Sequence, residues 1–533
     1  MSFPAFLQRL QTAARFPHPV SDFQIIETHI SWLLLTGSYV YKFKKPVELG
    51  FLDFSSLEKR RYACEEEIRI NRRMAPDLYV GVVAITGQVS APELDGKGPV
   101  IEYAVKMRQF DPDQTLDQLA MRGALHGELV DSLAKEVAQF HIDATQALPS
   151  TPWGEPDQIL HDVLENFRTV RLCLGQDSEL QIKLSSMQVD SAAWHDALFE
   201  TFCDRKAAGW VRELHGDLHL GNIVRWQGHV VPFDAIEFNP ALRWIDTVND
   251  IAFLIMDLSV KGQNGLAHRF LDQYLALCGD YEGLAVLDFY QAYRAMVRAK
   301  VAAIGVAQAR AQSQDDAEFH ARCRDYLEFA GQCSDRPGGI LILTYGVSGS
   351  GKSYWTERLV ERLPAIRLRS DVERKRLFGL RPQTRAAAGV GESIYSAQAS
   401  EQTYARLRNL ARAILRTGRT VVVDASFLRQ AERQRFVEAV AEPEGVPHVI
   451  LSFTAPAAEL RRRVIDRERS GQSVSDAGLA VLQAQLTARE PLGEVESQHA
   501  VAVDTSKPVD LESIGEQIHR MCAAAPTRQP AIS

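Results

Sequence analysis

The chain has 533 residues, 46% of them hydrophobic and 24% charged, a composition typical of a globular protein with two or three domains. Its 68 acidic and 60 basic residues give a net charge of −8, which argues against a protein that binds long nucleic acids through phosphate contacts. The seven cysteines form no CxxC pair and no apolar run reaches the roughly 18 residues of a membrane span, so we expect a cytoplasmic protein with reduced cysteines and no disulfide scaffold.

The first part of the chain is predicted to form a small β-rich lobe followed by a large helical lobe. Apolar, β-branched stretches predict strands, and one longer amphipathic stretch over about 56–74 predicts a helix. The predicted strands of the small lobe lie at 23–29, 30–36, 39–44, 79–85 and 100–107. From about 114 to 335 the patterns are mostly helical, with strand-like pieces at 222–226 and 229–234. This order of elements is the outline of a protein-kinase-like fold.

A short polar segment in the helical region contains the first candidate catalytic residues. It begins at His215 and reads HGDLHLGN, and the strand-like piece after it ends at Asp234. Phosphoryl transfer needs a carboxylate near the attacking hydroxyl and oxygen ligands for Mg²⁺, and these residues could supply both. The alternative is that Asp217 caps a helix and Asn222 belongs to a turn. Glycines within the segment indicate a loop, so we do not expect its two histidines, His215 and His219, to bind zinc.

The segment resembles the HxDxxxxN motif of aminoglycoside and choline phosphotransferases and their kinase-like relatives. The resemblance covers about residues 1–335 and implies that Asp217 accepts or orients the proton of the attacking hydroxyl. It implies that Asn222 and Asp234 hold Mg²⁺ on the nucleotide phosphates. Asp250 resembles a structural aspartate of that family, and we interpret it as a brace of the loop, together with His215.

The resemblance also implies a strand lysine that binds the phosphates and a helix glutamate that holds this lysine. Lys42 is our choice for the lysine, although Lys44 lies on the same face of the strand, and a solvated edge lysine is the alternative. Glu67 or Glu66 is expected to be the glutamate, and the sequence does not separate the two. One feature of the family is missing, since no glycine-rich loop is evident before Lys42.

A second motif predicts a nucleotide site in the C-terminal part, beyond a turn-rich linker at 334–339. Residues 346–353 read GVSGSGKS and fit the pattern GxxxxGK[ST] of a phosphate-binding loop. The loop would bind phosphate oxygens through the backbone of Gly346, Gly349, Ser350 and Gly351. Lys352 would reach the β- and γ-phosphates, while the Ser353 hydroxyl would bind Mg²⁺. A chance glycine-rich turn between a strand and a helix is the alternative.

The elements around this loop predict a doubly wound parallel sheet. Strand-like runs alternate with helical patterns, such as the helix predicted over 401–417, which ends before Gly418. The predicted strands lie at 340–345, 365–369, 420–424, 448–454 and 500–504. Asp424 ends one of them, as the acid of a Walker B strand does, and is a candidate magnesium ligand. A strand-end aspartate that only forms a turn is the alternative.

Residues 338–520 resemble AAA-type P-loop kinases of the gluconate kinase, chloramphenicol phosphotransferase, polynucleotide kinase and zeta-toxin kind. The resemblance implies that Asp371 activates the acceptor hydroxyl, although this residue could instead cap the helix predicted from about Val372. It further implies that Arg463 and Arg467, four residues apart on one helix face, form a lid that neutralises the moving γ-phosphoryl group. An exposed basic helix with internal ion pairs is the alternative for the two arginines.

The fold class expected from these patterns is α/β plus α+β, in a tandem that resembles bacterial fusions of the two kinds of protein. We expect a kinase-like domain at 1–335, a P-loop domain at 338–520 and a loose tail at 521–533. The expected activity is that of an ATP-dependent kinase that uses ATP and Mg²⁺ at two sites to phosphorylate hydroxyls of small molecules. Two alternatives remain, a polynucleotide 5′-hydroxyl kinase in the P-loop half or a nucleotide sensor in which one half is not catalytic.

Overall fold

In the computed structural model, the described residues are 4–48, 52–174, 178–334, 338–381, 394, 396–470 and 478–523. The chain divides into two units that do not follow its linear order. Residues 1–261 and 289–330 form the first unit, and residues 262–288 and 331–533 form the second. The segment 262–288, expected in the N-terminal domain, therefore groups with the P-loop unit.

A six-stranded antiparallel sheet forms the small lobe of the first unit, with the strand order β1-β2-β3-β6-β4-β5. Its strands are β1 Gln24–Glu27, β2 Ser31–Leu35, β3 Tyr39–Lys44, β4 Tyr79–Gln88, β5 Ala91–Leu94 and β6 Val100–Arg108. Every strand predicted here is present, whereas β5 was not predicted. One face of the sheet buries Trp32, Leu34 and Phe43 together with Leu7 and Leu10 of the short helix α1, Ala5–Leu10. The burial of these large side chains fixes the register of the strand that carries the two lysines.

Helix α2, Leu57–Asn71, packs on the other face of this sheet. The Ser56 hydroxyl accepts a hydrogen bond from the backbone N–H of Lys59 and so caps its first turn. Cys64 and Ile68 are buried against residues of β4 and β6. This packing turns one side of the helix, and with it one member of the Glu65–Glu67 triplet, toward β3.

The rest of the first unit is mostly helical, as predicted. Its described helices are α3 Leu116–Met121, α4 Gly127–Asp143, α5 Pro156–Leu174, α6 Ser178–Ala207, α7 Thr247–Val260, most of α9 Leu284–Ala311, and α10 Ala317–Gln332. Two small antiparallel pairs interrupt them, namely β7 Val211–Glu213 with β10 Trp244–Asp246, and β8 Ile223–Trp226 with β9 His229–Pro232. The polar HGDLHLGN segment is the loop between β7 and β8.

A five-stranded parallel sheet organises the second unit, with the strand order β12-β13-β11-β14-β15. Its strands are β11 Leu341–Tyr345, β12 Ala365–Arg369, β13 Thr420–Asp424, β14 His448–Thr454 and β15 Ala500–Asp504. These bounds match the predicted strands within a residue. The strand that precedes the phosphate-binding loop is central, and its five residues are all buried. The predicted fold class is confirmed, since the second unit is α/β with a parallel sheet and the first unit is α+β, with a small β lobe followed by mostly helical residues.

The helices of the second unit follow these strands along the chain. After β11 they are α11 Lys352–Leu359, α12 Ser370–Leu377, α13 Ala397–Arg416, α14 Gln430–Glu444, α15 Ala457–Ser470, α16 Leu479–Ala488, α17 Glu494–Gln498 and α18 Leu511–Ala523. Helix α13 ends just before Gly418, whose φ of +73° is the conformation expected after a helix end. Helix α18 includes the first residues of the predicted tail, and residues 524–533 lie outside the described part of the chain.

Helix α8, Asn264–Cys278, also belongs to the second unit and lies against β12, the edge strand of the parallel sheet. Asp272 on this helix accepts hydrogen bonds from the backbone N–H, Nε and Nη2 of Arg367 at 2.8, 2.8 and 2.7 Å. Both side chains are 1% exposed. A second buried pair joins Arg419 Nη2 to Asp288 at 2.6 Å. Residues 262–288 thus supply the carboxylates that neutralise two buried arginines of the P-loop unit.

Candidate active sites

The first site is organised around Lys42 of β3, which is 9% exposed. Its Nζ donates hydrogen bonds to Glu67 Oε1 at 2.9 Å and to Asp234 Oδ1 at 2.5 Å. Glu67 lies on α2 and is fully buried, whereas the Asp234 side chain, just after β9, is 40% exposed. Three predicted residues from distant parts of the sequence therefore meet at one point, where the Asp234 carboxylate stays accessible.

The glutamate that holds Lys42 is Glu67, since the neighbouring Glu66 instead binds Arg69 and Arg243. Glu67 also forms an ion pair with Lys44, which is completely buried. Lys44 forms a second ion pair with Glu237, three residues after Asp234. Sequence reasoning did not assign Glu237 a role, because its signal is only one acidic residue in a mostly apolar stretch.

Asp217 and Asn222 face each other across the polar loop between β7 and β8. Asn222 Nδ2 donates to Asp217 Oδ2 at 3.0 Å and to the backbone oxygen of Asp217 at 3.1 Å. This use of the amide nitrogen leaves the Asn222 Oδ1 oxygen as an acceptor that could bind a metal. The backbone N–H of Phe233 donates to the backbone oxygen of Asn222 at 2.9 Å, and this bond connects the loop to the strand before Asp234.

Buried side chains hold this loop in one shape. Asp250 accepts hydrogen bonds from the backbone N–H groups of His215 and Gly216 at 3.2 and 2.9 Å and is bonded to His141 Nε2 at 3.1 Å. Gly216 has φ +82°, and a Cβ there would lie 2.5 Å from the backbone oxygen of Leu242, so no other residue fits without strain. The expected bracing contacts of His215 and Asp250 are therefore present, and His141 is a hydrogen-bonded core residue.

The charges of the first site reinforce one another. Burial raises the pKa of Asp217, but the nearby His219 and Arg298 lower it more, and the result lies well below the usual range. Burial likewise raises the pKa of Asp234, and Lys42 more than offsets this and lowers it. Burial lowers the pKa of Lys42, while Asp234 and Glu67 raise it above its ordinary value. Both aspartates are thus ionised and Lys42 is charged at neutral pH.

The donor set fits a magnesium ion that is shared with a nucleotide. Within the described residues, no group of three or more His, Cys, Asp and Glu side chains could hold a metal ion by itself. Mg²⁺ commonly takes one or two protein oxygens and completes its shell with phosphate oxygens and water. Asp234, with its exposed carboxylate, and Asn222 Oδ1 are of that kind. Asp234 also has φ +61°, a conformation that is uncommon for a residue other than glycine.

The second site is the loop between β11 and α11. Gly346 has φ +155°, and a Cβ there would lie 2.6 Å from Ser350 Oγ and 2.7 Å from the Phe453 oxygen. Gly349 and Gly351 have φ of +80° and +88°, which only glycine adopts without cost. The loop ends at α11, so the N-terminus of that helix points into the site and its dipole favours an anion there.

Lys352 and Ser353 begin α11 in the positions that the motif predicts. Lys352 Nζ donates to the backbone oxygens of Gly346 and Val347 at 2.8 and 3.0 Å, contacts that phosphate oxygens could replace. Burial lowers the pKa of Lys352 to about 8, against the opposing effect of Asp424. The Ser353 side chain is exposed, and its hydroxyl makes no hydrogen bond within the described residues. Both groups are therefore available to a nucleotide and its metal.

Two carboxylates lie close enough to Lys352 to influence its charge, Asp424 first and Asp371 second. Asp424 ends β13 and is 5% exposed. Asp371 lies in the first turn of α12, whose N-cap is Arg369 and has no side-chain capping bond, so the capping alternative for Asp371 is wrong. Asp371 forms no hydrogen bond or ion pair within the described part of the chain. Its carboxylate is therefore free to accept a proton.

The two candidate lid arginines both reach the loop from α15. Arg463 donates to Oγ1 and the backbone oxygen of Thr505, both at 2.8 Å, and to Glu459 at 2.8 Å. Arg467 Nη2 donates to the Ser348 hydroxyl at 3.0 Å, within the loop itself. No pattern in the sequence pointed to Thr505, which lies just beyond β15. Arg467 thus contacts a side chain of the loop directly, whereas Arg463 contacts Thr505, whose hydroxyl donates to the loop backbone at Ser350.

Residues 341–492 match the family model described as an AAA domain. The prediction that this part of the chain is an AAA-type P-loop domain is confirmed. The whole chain is also 28% identical over 507 residues to an uncharacterised protein of Mycobacterium tuberculosis, an alignment that covers 94% of this chain and 96% of that protein. A protein of Mycobacterium bovis matches equally well. The alignments span nearly the full length of this chain and of these relatives.

Two solved structures each align with a portion of the chain. A choline/ethanolamine kinase family protein from Mesorhizobium loti covers 63% of this chain and 96% of its own, with 13% identity and a TM-score of 0.39. A gluconokinase from Sinorhizobium meliloti covers 36% of this chain and 92% of its own, with 24% identity and a TM-score of 0.23. Among the described residues, no helix is both long and apolar enough to cross a membrane.

Proposed function

We propose that this chain is an ATP-dependent phosphotransferase with two Mg·ATP sites, each of which phosphorylates a hydroxyl group of a small molecule. The observation that carries the proposal is the arrangement of Lys42 between Glu67 and Asp234. It places a fixed cation beside an accessible carboxylate, with the Asp217–Asn222 pair in the adjoining loop. Such a site can hold nucleotide phosphates and a metal and can take a proton from an acceptor.

In the first site, Lys42 binds phosphate oxygens and Glu67 keeps its ammonium group in place. Asp234 and Asn222 would hold Mg²⁺, which would neutralise charge on the transferring phosphoryl group. Asp217 is ionised and accepts the proton of the acceptor hydroxyl. The acceptor oxygen bonds to the γ-phosphorus, the bond from that phosphorus to the bridging oxygen breaks, and ADP leaves with the electron pair.

In the second site, the loop backbone and Lys352 bind the phosphates. Ser353 and Asp424 are the residues that would hold Mg²⁺, and Asp371 would accept the proton of a second acceptor. Arg467, through its position at Ser348, would neutralise charge on the moving phosphoryl group, and Arg463 supports the loop. The free carboxylate of Asp371 supports this assignment of the general base.

Transfer of labelled γ-phosphate from ATP to a pool of hydroxylated metabolites tests the proposal on the full-length protein. The wild-type chain should label acceptors, and Asp217→Asn and Lys352→Ala should each remove a different set of products. The double variant should label none. Asp113→Asn is a matched control, since this carboxylate is exposed and pairs only with a surface arginine.

The same experiment separates the alternatives. A wild-type chain that binds Mg·ATP at both sites but labels no acceptor would be a nucleotide sensor, and the proposal would be wrong. Labelling of a 5′-hydroxyl oligonucleotide that depends on Asp371, with steeply salt-dependent binding, would make the P-loop half a polynucleotide kinase. We expect neither result, because the net charge of −8 opposes contact with a polyanion.

A further inference from the structure

Arg298 of helix α9 lies against the polar loop of the first site and forms no ion pair within the described residues, although its side chain is partly buried. Its Nη1 is 3.5 Å from His219 Nε2, and its Nε donates to the Tyr326 hydroxyl at 3.4 Å. Burial lowers the pKa of Arg298, and Tyr326, Asp257 and Asp217 raise it more, so two carboxylates lie near the guanidinium without bonding to it. A partly buried guanidinium usually has a directly bonded carboxylate, because burial of an unpaired charge is costly.

The contact with His219 does not satisfy Arg298. The backbone N–H of Gly221 donates to His219 Nδ1 at 3.1 Å, so Nδ1 carries no proton and the proton of the ring is on Nε2. Nε2 is therefore a donor, as is Arg298 Nη1, and two donors cannot bond to each other. Nε2 lies 3.5 Å from Asp217 Oδ2, the length of a weak hydrogen bond. Two donors thus converge beside Asp217, and neither makes a short hydrogen bond to a carboxylate within the described residues.

These donors belong to the acceptor side of the site. The nucleotide side is defined by Lys42 and Asp234, and neither Arg298 nor His219 contacts them within the described residues. Arg298 also adds positive potential at Asp217, which helps to keep this carboxylate ionised. A ligand that approaches Asp217 with its hydroxyl would therefore meet the guanidinium and the imidazole N–H as well.

We propose that the acceptor of the first site carries an anionic group, a carboxylate or a phosphate, which Arg298 and His219 Nε2 bind while Asp217 takes the proton of the neighbouring hydroxyl. This rests on the proposed function and names its substrate class. The planar guanidinium presents paired N–H donors that match either oxyanion. A cationic acceptor such as an amino alcohol would be repelled by Arg298, so the site selects hydroxy acids or phosphorylated alcohols.

Matched acceptors in the full-length chain, with Lys352→Ala to silence the P-loop site, test this inference. One series is glycerol, glycerate, glycerol 3-phosphate and 3-aminopropane-1,2-diol, and a second is glucose, gluconate, glucose 6-phosphate and glucosamine. One of the two anionic members of each series, the carboxylate or the phosphate, should have the highest kcat/KM, and which of them does so identifies the oxyanion that is bound. Arg298→Gln should raise KM for anionic acceptors by roughly 10–100-fold, the range for a hydrogen bond to a charged group.

The same variant should leave KM for Mg·ATP and for the neutral acceptors unchanged, and Arg298→Lys should restore part of the affinity. A purely structural role for Arg298 would instead change all acceptors alike, and this result would overturn the inference. So would a higher kcat/KM for the amino or neutral compounds.

Equilibrium binding separates this inference from the proposed function. In the protein saturated with Mg²⁺ and a non-hydrolysable ATP analogue, anionic compounds should bind more tightly than neutral ones, and Arg298→Gln should remove the difference. Equal binding of anionic and neutral compounds overturns the inference even where transfer proceeds. Absence of all transfer with charge-dependent binding retained contradicts the proposed function and supports the anion site.

Discussion

Replacement of Asp272 by alanine should destabilise the P-loop unit, although Asp272 lies 80 residues before the phosphate-binding lysine in sequence. Asp272 accepts three hydrogen bonds from Arg367, and both side chains are 1% exposed. Arg367 Nη1 in turn reaches the backbone oxygen of Ser353 at 3.4 Å. The substitution would leave a buried guanidinium without its counter-ion, in a side chain that contacts the backbone of Ser353, the last residue of the phosphate-binding loop.

The magnitude follows from the geometry. Removing one partner of a buried ion pair costs about 3–5 kcal/mol, because the remaining charge stays desolvated. For a unit of 150–250 residues, about 1 kcal/mol corresponds to about 2–4 °C in Tm. The expected fall in the Tm of the second unit is therefore about 6–20 °C. The double variant Asp272→Leu/Arg367→Met should recover most of this loss, since it removes both charges.

Differential scanning calorimetry of the full-length protein measures this effect, with and without Mg·ATP to identify the transition of the P-loop unit. Arg462→Ala is the control, since this exposed arginine pairs with Glu459 on the surface of the same unit and its loss should leave the Tm of that unit nearly unchanged. A loss below 1 kcal/mol for Asp272→Ala, or a shift confined to the transition of the other unit, would show that the pair does not carry the stability assigned to it.

Three further outcomes are expected. The affinity of the P-loop site for Mg·ATP should fall as the pH rises above about 8, because Lys352, whose pKa is lowered to about 8, loses its charge there. Below that pH this effect should be absent. Binding titrations of the wild-type and Lys352→Ala proteins should show the pH dependence only in the wild type. Asp217→Asn should lower the rate of phosphoryl transfer at the first site by roughly 10²-fold or more, while the affinity for Mg·ATP is retained. Asp234→Ala should instead weaken Mg·ATP binding. The reverse pattern would exchange the roles of the two aspartates. Glu67→Gln should lower the free energy of unfolding of the first unit by about 3–5 kcal/mol in denaturant titrations, because two buried lysines lose their shared partner. Glu65→Gln is the control, since Glu65 is exposed, and it should change the free energy of unfolding by less than about 1 kcal/mol.

The local chemistry of both sites could be predicted from sequence because it lies in short segments. The phosphate-binding loop and its strand are consecutive residues, so their pattern specifies the strand, turn and helix together. The five strands of the parallel sheet were found because each is a short apolar run between helical patterns. Asp217 and Asn222 lie in one short loop, so their spacing in sequence already implies that their side chains are close.

Contacts between distant segments were less predictable. Glu66 and Glu67 are neighbours on α2 and have the same chemistry, but successive residues of a helix point about 100° apart. The packing of α2 on the sheet decides that Glu67 faces Lys42 while Glu66 faces Arg69 and Arg243. A local sequence pattern therefore does not show which face of a helix will pack against a strand that is distant in sequence.

The placement of residues 262–288 shows the same limit at a larger scale. Helix α8 has an amphipathic pattern and buries Phe270, Tyr274 and Leu275, which is compatible with packing on any apolar surface. The one local signal was Arg367, a charged residue between the apolar Ile366 and Leu368 in the middle of strand β12. An arginine at a buried strand position requires a carboxylate from another element, because an unpaired buried charge is too costly to retain. That carboxylate is Asp272 of α8. The sequence does not identify it, because the tertiary packing of the second unit decides which helix lies against the edge strand β12.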